Sequence, residues 1–183
     1  MASLALWSEC AAAAKEAPGA PPADAATEPG VDAKLPPPVD AMVDLCPGPI
    51  TCQTGTMLGT ISGDNGSQML MTSGYQSAWI RVRVTEDVFG GIPLSLSATV
   101  TPPPGLDFDV FLYMNEGQDV VECTTRVGTT TTNGTAKTTR ALWGDVSGGN
   151  GVDDDRTVSI EIRPVSGACA PDKQWQLKIV GNT

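Results

Sequence analysis

The chain has 183 residues, a formal net charge of −10 and no histidine. That length suits one ordinary domain plus a tail. The acidity excludes nucleic acid and anionic membrane surfaces as partners, because like charges repel. The lack of histidine removes the Ser-His-Asp and Cys-His arrangements and the usual ligands of catalytic zinc and non-haem iron. Carboxylates, lysine or a hard, oxygen-liganded metal are what remain for chemistry. No nucleophilic or acid/base constellation stands out, so the chain reads as non-catalytic.

The N-terminal part, 1–45, divides from the rest by composition. Met1–Cys10 is a short apolar run ending in a cysteine, which looks like the end of an export signal. Cys10 is the candidate for a lipid anchor, although Glu9 departs from the small residue that a lipoprotein signal places there. The following stretch is rich in Ala, Pro, Asp and Glu, including Pro21-Pro22 and Pro36-Pro37-Pro38. Too few large apolar residues occur there to bury a core, so a disordered, semi-extended tether is expected. No apolar run is long enough for a transmembrane span.

Residues 46–183 are expected to form a single domain. It carries Cys46, Cys52, Cys123 and Cys169. No zinc spacing is present, and an even number suits two disulfides in an oxidising compartment. Of the three connectivities, the reading favours Cys46–Cys52 across a short Pro-rich loop, with Cys123–Cys169 closing a long one.

From Gly55 onward the pattern is period two. Ser77–Val84, Leu94–Val100, Leu106–Tyr113, Val158–Arg163 and Gln174–Ile179 each set apolar residues on one face and polar ones on the other. Met57–Ile61, Gln68–Thr72, Val120–Thr124 and Lys137–Leu142 are weaker strand candidates. Gly63-Asp64-Asn65-Gly66, Pro102-Pro103-Pro104-Gly105, Asn133-Gly134 and similar groups supply the reversals. Asn65-Gly66-Ser67 and Asn133-Gly134-Thr135 match the glycosylation pattern but read as turns. Eight or nine short strands predict an all-β, antiparallel β-sandwich of jelly-roll type.

Three segments carry a resemblance. Leu58–Asp64, Leu106–Tyr113 and Trp175–Ile179 resemble the opening strand, the Asp-aromatic-Asp strand and the closing strand of the bacterial pre-peptidase C-terminal domain. That resemblance implies a non-catalytic accessory module of secreted proteins or lipoproteins, binding a surface, a protein or a polymeric substrate. It also places the protein outside the cell or on its outer envelope. The partner would be a cell-surface or extracellular protein or a polysaccharide.

Three groups of side chains are candidate sites. Asp107 and Asp109 share one strand face and could hold a hard cation such as Ca2+, serve a carboxylate-dependent polysaccharide hydrolase, or simply face solvent. Asp153, Asp154 and Asp155 follow a Gly-rich loop and could wrap Ca2+, or be neutralised in part by Arg156. A calcium-stabilised structural or adhesion domain is therefore the alternative reading. Trp79, Tyr75 and Trp143 could form an aromatic platform for a ligand, with Trp79 beside Arg81 and Arg83 for a stacked guanidinium. Trp175 belongs to the core face of its strand.

Overall fold

In the computed structural model of the chain, the described residues are Cys46, Gly48, 50–88, 91–133, 135–144 and 153–183. The tether and Cys10 lie outside them, as does the Gly-rich loop 145–152. Ten strands follow a short 3-10 turn at Cys52–Thr54: β1 (Thr56–Ser62), β2 (Met69–Gly74), β3 (Ala78–Thr85), β4 (Leu94–Thr101), β5 (Asp107–Tyr113), β6 (Arg126–Val127), β7 (Thr129–Asn133), β8 (Ala136–Trp143), β9 (Arg156–Ser166) and β10 (Trp175–Gly181).

The strands form two five-stranded sheets, ordered β1-β3-β9-β5-β6 and β2-β10-β4-β8-β7. From β2 onward the strands take the neighbour order of a jelly roll. Its sixth strand is split: β6 pairs with β5 in one sheet and β7 with β8 in the other. The crossing falls at Gly128, whose φ is +85° and where a Cβ would sit 2.4 Å from the Arg140 carbonyl oxygen. Only glycine satisfies both conditions. All pairings are antiparallel except β1 with β3, which run parallel.

Period two governs the core. Val82, Val84, Leu96, Ala98, Val100, Phe108, Val110, Leu112, Val158, Ile160, Ile162, Leu177 and Ile179 are fully buried between the sheets. The polar residues between them point outward, as strand geometry requires. Thr139 is a buried exception, and its hydroxyl donates to the Val110 carbonyl, tying the two sheets together at 2.8 Å.

Asp64, in the turn after β1, is also buried. Its carboxylate accepts the backbone N–H groups of Asp87 and Val88 at 2.9 Å and the Ser62 hydroxyl at 3.0 Å. No cation is needed, because three donors satisfy the charge.

Two expectations are corrected. Val120–Thr124 is not a strand. The Glu122 carboxylate captures the N–H groups of Cys123, Thr124 and Thr125 and the Thr124 hydroxyl, which turns the chain. The Thr124 hydroxyl and these N–H groups lower the Glu122 pKa to about 2. The threonines of β7, which carry no apolar alternation, form a strand instead.

The disulfides join Cys46 to Cys169 and Cys52 to Cys123, with Cα separations of 5.7 and 5.9 Å. This overturns the expected Cys46–Cys52 and Cys123–Cys169 bridges, because the fold brings each of Cys46 and Cys52 to a cysteine far along the chain rather than to each other. Both bridges therefore span long stretches of chain, 123 and 71 residues. In the chain-entropy account each removes about 4–5 kcal/mol of freedom from the unfolded state. Proteolysis without reduction followed by mass spectrometry is expected to yield Cys46–Cys169 and Cys52–Cys123 peptides. A Cys46–Cys52 peptide, or four reactive thiols in the denatured domain, would refute the pairing.

Candidate functional site

The three groups nominated from sequence do not converge on one site, and Trp143 of the aromatic group lies with the acidic cluster. Asp107 and Asp109 stand on the outward face of β5, near its start. There β5 has a partner on one side only, since β6 reaches just Leu112 and Tyr113. Lys137 of β8, in the other sheet, comes round this free edge. Its Nζ lies 2.8 Å from Asp107 Oδ1 and 2.7 Å from Asp109 Oδ1. The protein's own ammonium thus sits where the two carboxylates would meet an added cation.

Burial lowers the Lys137 pKa, but the hydrogen bonds and charges of the two carboxylates outweigh it and hold the pKa up. A raised lysine pKa means that the pair's contribution to stability is complete below about pH 10 and is lost as pH rises through the folded value. Lys137→Met is expected to cost roughly 1–2 kcal/mol, discounted because both carboxylates are partly exposed. Millimolar calcium is expected to leave the unfolding midpoint of the native chain unmoved and to raise that of Lys137→Met, measured by calorimetry. A calcium-dependent midpoint in the native chain would overturn this account of the edge.

Asp153–Asp155 precede β9, at the end of that strand remote from Asp107 and Asp109. Asp109 pairs with Arg163, eight residues further along, or roughly 26 Å of strand. The cluster is organised around two arginines. The Arg156 guanidinium, nearly buried, donates to the carbonyls of Glu116, Asp153 and Asp155 at 2.7–3.1 Å and lies 3.5 Å from Asp154. Asp155 accepts from Arg83 at 3.1 Å and from the Glu86 N–H at 2.6 Å. Asp119 also pairs with Arg83 and accepts the Thr157 N–H. Among the described residues no group of three or more Asp, Glu or Cys side chains is arranged to hold a metal ion.

The aromatic residues divide. Trp143 is buried, and its Nε1 donates to the Asp154 carbonyl at 3.0 Å, so it is a core residue at the end of β8 and not part of a platform. Tyr75 and Trp79 share one lining. They line a groove of about 280 Å³ with Ile50, Leu58 and Trp175. Thr56, Thr72, Ser73, Gln76 and Ser77 add hydroxyls and an amide, and no lining residue is charged. The groove opens between β1 and β2, the edge strands of the two sheets. Trp175 is buried as expected, and its Nε1 donates to the Gln76 carbonyl at 2.9 Å. Its ring covers Gly74, where a Cβ would come within 2.5 Å of it.

Trp79 carries no stacked guanidinium. Its ring packs on Tyr113 at a centroid distance of 5.2 Å. The stacking lies further across the same face, where the Arg126 and Arg163 guanidiniums stand 3.9 and 4.9 Å from the Phe111 ring centre. Period two puts Phe111 and Tyr113 outward, beside Asp107 and Asp109, but only the cross-strand register reveals the arginines that cover them. The Tyr113 hydroxyl donates to Glu161 at 2.7 Å. Burial, then this hydrogen bond and the Glu161 charge, push its pKa up to about 12. A spectrophotometric titration is expected to show one tyrosine ionising near that value, and Glu161→Gln to bring it down. A single ordinary transition for both tyrosines would refute the contact.

A scan of protein-family models gives no match to the chain, and a search of curated proteins gives none. The fold defines a disulfide-bonded jelly-roll sandwich.

Proposed function

We propose that this is a non-catalytic, exported binding module that contacts a surface, a protein or a polymeric substrate through the Tyr75–Trp79 groove. The observation that carries the reading is the groove itself. Tyr75 and Trp79, both nominated from sequence, line it among hydroxyls and an amide, and no lining residue is charged. That chemistry suits a neutral polymer, whose apolar faces pack on rings while its polar edge meets hydroxyls. The resemblance to the pre-peptidase C-terminal domain supports the accessory role. The paired cysteines support export, since such bridges persist in oxidising compartments. Cys10 remains the candidate point of lipid attachment, which would leave 11–45 as a tether to the outer envelope.

The calcium-stabilised alternative draws less from the geometry, because Lys137, Arg83 and Arg156 already meet four of the five carboxylates it would use, and Asp153 accepts the Asp155 N–H. A hydrolase would need a perturbed acid beside a base, and Asp107 and Asp109 share one lysine instead.

Depletion from solution by insoluble polysaccharides and fibrous extracellular proteins tests the role. The native chain is expected to be retained on at least one uncharged polymer, and the Tyr75→Ala, Trp79→Ala double variant to lose about tenfold or more in affinity. Equal retention of both chains would remove the groove from the function.

A further inference from the structure

One wall of the sandwich differs in chemistry from the rest of this acidic chain. Between Asp44 and Arg81 the only charged residue is Asp64. That carboxylate is buried and turned onto backbone N–H groups. The stretch supplies β1 and β2, which are the edge strands of the two sheets on this wall.

Edge strands are ordinarily protected by charge, proline, a bulge or shortness. β1 has such a device, a register shift between Met57 and Gly59. At the opposite edges, β6 has two residues, and β7 is a threonine strand paired beside Arg140. β2 has none of these devices. Its six residues pair with β10 without a register shift, and it contains no charge and no proline. It also presents Met69 and Met71 outward, 52% and 57% exposed. Among the described residues no backbone pairs with its other side.

We propose that this edge is the contact between two copies of the chain, with β2 of each pairing antiparallel to β2 of the other across a two-fold axis. The argument for a second copy is electrostatic and geometric. A two-fold contact sets each residue against the same surface of its partner, so a charged patch would face its own sign. Both copies are acidic, which makes the uncharged edge strand β2, with the cation Lys178 opposite Met71 on the next strand, the place where they approach at least cost. An antiparallel strand edge is also self-complementary in its hydrogen bonds. The register must set outward residues against outward residues, since a slip by one would send the methionines to the inner face. Met69, Met71 and Ser73 of both copies then form one outer row on a continuous ten-stranded sheet. This inference goes beyond the binding role and does not depend on any ligand.

Sedimentation equilibrium of the full chain, without added ligand, tests it. A reversible dimer is expected in the micromolar range. Met69→Glu with Met71→Glu is expected to weaken association about tenfold or more, by setting carboxylates against carboxylates. Leu142→Glu is the matched control, because Leu142 is equally exposed, at 58%, but lies on β8 away from this wall. It is expected to dimerise as the native chain does. Amide exchange on the native chain should slow in Met69–Gly74 as concentration rises. A chain that stays monomeric into the millimolar range overturns the proposal. So does a dimer that ignores the double substitution, or one that Leu142→Glu disrupts equally.

Discussion

The domain depends on one apolar layer between its two sheets. β5 shows why. Phe108, Val110 and Leu112 are fully buried, and they face the layer built by β4, β8 and β10 from the other sheet. Without that burial neither sheet has reason to hold its register, because main-chain pairing alone does not choose which face of a strand turns inward. Once the inner face is set, every odd position of β5 must look outward. Asp107, Asp109, Phe111 and Tyr113 are therefore placed by the core rather than by their own chemistry. Their partners then come from whichever strands lie beside them.

The outward faces satisfy themselves by different means. Near the free edge of β5, Lys137 reaches across from the second sheet and its ammonium bridges two carboxylates. In the middle, two guanidiniums cover Phe111 while the Tyr113 hydroxyl donates a hydrogen bond to Glu161. At the far end, Arg83 and Arg156 gather Asp119, Asp154 and Asp155. Most of these charges are spent on internal structure. The groove beside β2 is different, since no charged residue lines it. That contrast, rather than any single residue, directs attention to the wall formed by β1 and β2.

The disulfides act on the same wall. Cys46 and Gly48 bond Ser77, whose N–H donates to the Cys46 carbonyl while its hydroxyl accepts from the Gly48 N–H. Ile50 then enters the groove lining. Cys46–Cys169 and Cys52–Cys123 hold both ends of this segment to distant loops. A segment with so few apolar residues could not hold its place by burial, and covalent closure supplies what packing does not.

Alternation of small sets of residues determined the strands, their inner faces and the sandwich itself. Ile80-Val82-Val84 and Leu177-Ile179 were legible because burial demands period two and turns demand glycine, proline or asparagine. That Tyr75 and Trp79 line one groove was legible only as a nomination, and the inclusion of Trp143 was mistaken because its indole is buried in the core. Tertiary structure alone decided which cysteine met which, that Lys137 would occupy the space between Asp107 and Asp109, and that Arg126 and Arg163 would cover Phe111. The physical reason is common to all three. Each is a contact between residues far apart in the chain, set by strand order and register, and a linear pattern carries face but not neighbour.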